Sequence, residues 1–289
     1  MSVDELIENY TVSLTQGVGL LDIRQQDAFR ARHLFGATSM PAESIAERWH
    51  ELPPKGSSLM LYGSEPELSR TVRLLYRHGY QITATLEHDR AASHPDLTDQ
   101  YVHNHSSRRL WRACPLLEQH CEIIERQLPE GMPRRALDLA CGAGRESIYL
   151  CLRRWQVTAV DNMASALEKV NAFAGFNDCT IDTLLLDLET DPDWPAKLPC
   201  REYSLVTMNR YLHRPLLPRL PALLPVGGIL AIQTFMEGAE LFGKPKNPDH
   251  LLAPGELRKI FSTLEIIEDE VAKLPDGRPV SSFIAQKTA

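Results

Sequence analysis

The stretch "RRALDLACGAGRES", residues 134–147, constrains this chain more than any other. An apolar run ends in Asp138, Gly142 and Gly144 follow two apart, and a helix start comes next. The pattern reads as strand, tight turn, helix. Glycines at such a turn let the backbone adopt φ > 0 and approach a ligand closely, commonly a nucleotide. Chemistry sorts the nucleotides. An NTPase phosphate loop needs G-x-x-x-x-G-K-[ST], and no lysine follows Gly142 or Gly144. A dinucleotide turn reads G-x-G-x-x-G, and its third position here is Ser147. Asp138, at the carboxyl end of the strand, would repel a pyrophosphate. It suits a ligand with an ammonium, a sulfonium and no phosphate, and S-adenosylmethionine (SAM) is such a ligand.

Further strands are expected downstream. The first spans 136–140, and others follow at 156–160, 181–186, 203–208 and 228–234, with helices between them. The last segment, "LEIIEDEVAKLPDGRPVSSFIAQK", reads as a hairpin about a "PDGRP" turn. Asp161 closes the second strand, nineteen residues after Gly142, and Asp187 closes the third. Acids at strand tips in this order resemble class I SAM-dependent methyltransferases, whose first motif "LDLACGAG" matches except that Ala140 stands where a glycine is usual. The resemblance implies that Asp138 faces the methionine end, that the backbone at Ala140, Gly142 and Gly144 approaches the cofactor, and that Asp161 accepts the ribose hydroxyls. It also implies that Asp187 and the N–H of Leu188 meet the adenine. Asn209, at the end of the fourth strand, and Trp111, upstream, become cofactor contacts by the same likeness.

The acceptor side is expected after the fourth and fifth strands. Asn209, Arg210, Tyr211 and His213 follow the fourth, and Tyr211 and His213 are the candidate bases for an acceptor that must lose a proton. "RPLLPRLPALLPVGG" opens with Pro215, which tolerates a helix start, but Pro218 and Pro221 predict a short or irregular helix. The loop "FMEGAELFGKPKNPDHLLAPGEL" resembles the matching loop of tellurite-resistance-type methyltransferases and offers Phe235, Lys244, Asn247 and His250 to a substrate. Trp111, between Arg109 and Arg112, presents an indole face suited to a cation.

The first half carries a different pattern. "GVGLLDIR", "SSLMLYG" and "QITATLE" read as strands, and "QDAFRARHLF" and "PELSRTVRLLYRHGY" as helices, the latter with Leu68, Val72, Leu75 and Tyr76 on one face. The residues Asp22, Arg24, Phe29, His33, Gly36, Ala37 and Pro41 resemble the opening of a rhodanese-like domain over residues 10 to 88. In active members a cysteine heads an anion-cradling loop. Here that position is Gly63, the loop arginine is Leu68, and Ser64 cannot carry a persulfide. The resemblance therefore implies a domain without sulfur-transfer activity.

The expected organisation is a rhodanese-like domain at 1–88, a polar linker at 89–108 and a methyltransferase domain at 109–289. The fold class is α/β in both domains: a small rhodanese-like sheet, then a Rossmann-like sheet ending in an antiparallel hairpin. The net charge of −7 argues against broad nucleic-acid attraction. No apolar run is long enough to span a bilayer, and the acidic start lacks the marks of a signal peptide. The six cysteines lack zinc spacing and read as reduced thiols of a cytoplasmic protein. His103 and His105 read as solvated, and no metal is expected. The expected partner is a small-molecule substrate, methylated from SAM, with a protein partner for the first domain as a further expectation. Rival readings are methylation of a protein, and a SAM-binding scaffold without turnover.

Overall fold

Two α/β units, Met1–Trp111 and Arg112–Ala289, divide the chain. The computed structural model describes residues 18–103 and 107–288. The first unit runs β1 (Gly19–Asp22), α1 (Gln26–Ala31), β2 (His33–Leu34), β3 (Ala37–Ser39), β4 (Ser58–Gly63), α2 (Glu67–Arg77), β5 (Gln81–Glu87), α3 (His88–Ala92) and β6 (Tyr101–Val102). Its main sheet has the order β3-β1-β4-β5 and is parallel throughout. Parallel sheets bury both faces, so their strands read as continuous apolar runs. Side chains alternate along each strand: Leu20, Met60 and Tyr62 enter one core, and Leu21, Leu59 and Leu61 the other. This is the small rhodanese-like sheet that the sequence implied.

Two local expectations need correction. Tyr76 does not share the buried face of α2; it is 75% exposed, and Leu68, Thr71 and Leu75 are the residues that helix buries. The stretch expected to be a linker carries structure. It holds α3, a 3-10 segment at Pro95–Gln100, and β6, which pairs antiparallel with β2. Ala91, Leu97 and Tyr101 pack into the first core, so the polar composition marks a solvated flank of that unit.

The second unit runs α4 (Pro115–Gln127), β7 (Arg135–Leu139), α5 (Arg145–Leu152), β8 (Gln156–Asp161), α6 (Ala164–Phe176), β9 (Ile181–Leu185), β10 (Leu205–Asn209), β11 (Ile229–Phe235), α7 (Glu256–Ile260), β12 (Glu265–Lys273) and β13 (Pro279–Gln286). All seven strands join one sheet of order β12-β13-β11-β10-β7-β8-β9. The five strands β7 to β11 are parallel, and β13 inserts antiparallel between β11 and β12. The expected hairpin is therefore present, and its turn closes through Gly277 at φ 88. The proline-rich stretch forms a ten-residue 3-10 helix, Arg214–Leu223, with Pro218 and Pro221 inside it. Proline removes the donors that an α-helix requires, while Leu216, Leu217, Leu220 and Leu223 still bury against the sheet.

This order places a reversal at β7. The chain winds outward through β8 and β9, then returns to the other side of β7 for β10 and β11. Ligands of open α/β sheets bind beyond the carboxyl ends of the strands at such a reversal. The turn after β7 and the tip of β10 meet there.

Candidate functional site

The turn after β7 has the backbone that its glycines predicted. Gly142 has φ 55 and Gly144 has φ 80. The two serve different ends. A Cβ on Gly144 would lie 2.8 Å from Val170 Cγ2 on α6, so this glycine lets α5 and α6 pack closely. A Cβ on Gly142 would meet nothing within 4 Å, so this backbone faces open space. Ala140 also has φ 55, a left-handed conformation that costs a residue with a Cβ about 1–2 kcal/mol. Strain of this kind concentrates at functional sites.

Asp138 is buried, and Ser147 Oγ donates to its Oδ2 at 2.5 Å. Ser147 is the residue that breaks the dinucleotide pattern, and here it partners the acid. Glu146, which sequence reasoning missed, is buried beside them. Its Oε1 accepts from the Cys114 N–H at 2.8 Å and from Asn209 Nδ2 at 3.0 Å. Burial first, and Glu146 second, push the Asp138 carboxyl up to about 8. Glu146 is raised too, chiefly by burial. Two carboxyls in one dry place resist ionising together, so the pair holds a proton at neutral pH. The only sequence signal for Glu146 was an acid in the first turn of α5; its partners lie 32 and 63 residues away.

Asp161 closes β8, buried, and caps two backbones. Oδ2 accepts from the Gly142 N–H and Oδ1 from the Met163 N–H, each at 2.9 Å. These bonds tie the tip of the second parallel strand to the glycine turn. Asp187 lies two residues past β9, where Oδ1 accepts from the N–H groups of Glu189 and Thr190 at 2.9 and 3.2 Å. The Thr190 side chain and these N–H groups hold its carboxyl below the usual range. Leu188 is buried in the core next to it. Asn209 ends β10; its Oδ1 is buried and has no hydrogen-bond partner among the described residues. An orphaned acceptor at the sheet reversal awaits a donor.

The segment after β10 is shaped by the rest of the unit. Arg210 has φ 54, and its side chain is exposed. Tyr211 donates to Glu189 Oε1 at 3.0 Å, and burial together with this bond raises its pKa. In this bond the phenol is the donor. His213 is half-buried, within electrostatic reach of Asp187. Arg214, also missed from sequence, clamps the loop after β11. It pairs with Glu256 at 2.7 and 3.0 Å and donates to the carbonyls of Asp249 and Leu251 at 2.8 and 2.7 Å. Phe235 is buried under the Arg278 guanidinium, and Lys244, Asn247 and His250 are exposed. Trp111 is the last residue of the first unit, buried, with the Arg109 guanidinium 4.9 Å from its ring centre. A cavity of about 480 Å³ lies at the opposite, amino ends of the strands, lined by residues including Met132, Arg135, Glu202 and Pro225. None of the candidate site residues lines it.

In the first unit, the rhodanese loop position is closed. A Cβ on Gly63 would lie 2.5 Å from Ile23 Cγ1. The Glu65 carboxylate turns back onto Ser69, accepting from its Oγ at 3.0 Å. Asp22, fully buried, instead grips Arg24, whose Nη2 lies 2.7 Å from Oδ2. His103 is exposed, with Nδ1 2.8 Å from the Ala31 carbonyl, and His105 lies outside the described residues. Among the described residues, no helix is long and apolar enough to cross a membrane.

The second unit combines this sheet order with acids at or just past the ends of its strands. A family model described as "Tellurite resistance protein TehB" matches residues 114–192. An uncharacterized protein of Schizosaccharomyces pombe, UNK4.09, is 25% identical over 323 aligned positions, covering 92% of this chain and 93% of its own. TehB from Haemophilus influenzae is a similar solved structure, with 21% identity and a TM-score of 0.46 over 60% of this chain. That match spans 61% of the Haemophilus protein, less than two thirds of its length. A SAM-dependent methyltransferase from Methanosarcina mazei is 18% identical, with a TM-score of 0.46 over 57% of this chain and 96% of its own.

Proposed function

We propose that this protein transfers a methyl group from SAM to a small nucleophilic acceptor, such as a thiol or a chalcogen oxyanion. The observation that carries this reading is the convergence of Asp138, Gly142, Asp161 and the orphaned Asn209 Oδ1 on the sheet reversal between β7 and β10. The residues fit the cofactor on three counts. Gly142 faces open space. The Asn209 acceptor lacks a donor. The buried Asp138–Glu146 pair favours an ammonium and disfavours a phosphate.

Under this reading, Asp138 and Asn209 face the methionine end, and the backbone from Ala140 to Gly144 lines its approach. Asp161 takes the ribose hydroxyls, and Asp187 with the Leu188 N–H takes the adenine. Bound there, the cofactor supplies an electrophilic methyl carbon on a sulfonium. The chain's own work is alignment and exclusion of water, which in favourable systems lowers a barrier by about 7–11 kcal/mol. Glu146 steadies the Asn209 amide. Arg214 and Glu256 fix the loop after β11 against the segment after β10. His213 accepts a proton where the acceptor must lose one; an anionic or thiolate acceptor needs no base. The rhodanese-like domain, read over 1–88, serves as a non-catalytic module that binds a protein partner, and the methyltransferase domain, over 109–289, acts in the cytoplasm.

The test is incubation of the full chain with methyl-labelled SAM and, separately, selenite, tellurite and small thiols. Label is expected in a methylated small product. Label that stays on SAM with every acceptor, in protein that binds S-adenosylhomocysteine, would favour a SAM-binding scaffold.

A further inference from the structure

Two thiols lie together away from the candidate site. Cys151 occupies the last turn of α5, and Cys179 the short loop between α6 and β9. The Cys151 side chain is a hydrogen-bonding neighbour of the Cys179 thiol. Cys151 Sγ also approaches the carbonyl of Thr180, the residue after Cys179, at 3.6 Å. Both side chains are half-buried, whereas Cys114, Cys121 and Cys141 are buried. The backbone at Cys179 is fixed, because its N–H donates to the Ala174 carbonyl at 2.9 Å. Cys151 is fixed in turn by its helix, whose following residues Arg153 and Arg154 close back on Leu150 and Cys151 at 3.0 and 2.8 Å. The 3.6 Å approach of Cys151 Sγ to the carbonyl next to Cys179 brings the two side chains to adjoining backbone, and a disulfide requires such closeness.

We propose that Cys151 and Cys179 form an oxidisable dithiol that a hydroperoxide converts into an intramolecular disulfide. The Cys151 sulfur attacks one peroxide oxygen, the O–O bond breaks, and the departing oxygen takes up the Cys151 proton and leaves as water or an alcohol. Cys151 then carries a sulfenic acid. Cys179 sulfur attacks the Cys151 sulfur, the S–O bond breaks, and the Cys179 proton leaves with the hydroxyl as water. In sum, two thiols are oxidised and one hydroperoxide is reduced. Burial first, and Cys151 second, raise the pKa of the Cys179 thiol, and dimedone trapping reads which of the two sulfurs attacks first.

The experiment treats the full chain with hydrogen peroxide, blocks free thiols, and maps peptides without reduction. A cross-linked pair joining the Cys151 and Cys179 peptides is expected, lighter by two hydrogens and released by dithiothreitol. Cys179→Ser should leave a sulfenic acid on Cys151 that dimedone traps, and Cys151→Ser should leave little on Cys179. Folded wild-type protein with no such cross-link, or with both cysteines driven separately to sulfinic acid, overturns the proposal. Dimedone labelling that favours Cys179 overturns the order of attack. Both readouts are independent of methyl transfer.

Discussion

Asp138 is the residue on which the site's chemistry turns. Its carboxyl binds a proton more tightly in the folded chain than in the unfolded one. Stability from such a group is complete below the unfolded carboxylate pKa of about 4 and is lost as pH rises towards the folded value. The thermal midpoint of ligand-free protein should therefore fall as pH rises to about 8, and Asp138→Asn should flatten that slope. An Asn variant with the wild-type slope would assign the proton to another group. An ammonium bound beside the pair would displace the proton, so S-adenosylhomocysteine should bind more tightly as pH rises through the same window. Asp161 sits in a different setting, tied to two N–H groups at 2.9 Å. Asp161→Ala should weaken S-adenosylhomocysteine binding by about 1–3 kcal/mol, read by calorimetry. Unchanged affinity would remove Asp161 from the site.

Between elements, the two glycines of one turn should part company. Gly144→Ala meets Val170 and should destabilise the fold by about 1–3 kcal/mol in urea unfolding, with partial recovery when Val170→Ala is added. Gly142→Ala meets nothing within 4 Å, so its main effect should be on ligand affinity, with a fold cost of about 1–2 kcal/mol from φ 55. Equal effects of both on affinity and stability would contradict the division. Elements of this kind were legible in the sequence because their causes are local. The five expected strands of the second half fall on β7 to β11 to within about two residues, since apolar runs bounded by turn residues specify them. Asp138, Asp161 and Asn209 were legible for the same reason, as strand-end residues. Tyr76 misled because a helical face is chosen by what packs against it. Glu146 and Arg214 were invisible because their partners come from distant segments: Arg214 reaches Glu256 across 42 residues. Spacing cannot announce a contact that only the fold creates.

For the whole molecule, the two units differ in what they retain. The first keeps the rhodanese-like sheet and the buried Asp22–Arg24 pair, but Ile23 fills the space where a nucleophile on Gly63 would sit. Gly63→Cys should gain no thiosulfate–cyanide sulfurtransferase activity and should lose stability, since its Cβ would lie 2.5 Å from Ile23. Turnover above background would show that the loop opens. The second unit keeps a seven-strand sheet with acids at its strand tips and an unpaired acceptor at its reversal. The most direct test of the account is calorimetric titration of the full chain with SAM and with S-adenosylhomocysteine. Saturable one-to-one binding of both at micromolar concentrations, weakened by Asp161→Ala, is the predicted result. A folded sample that binds neither would contradict it.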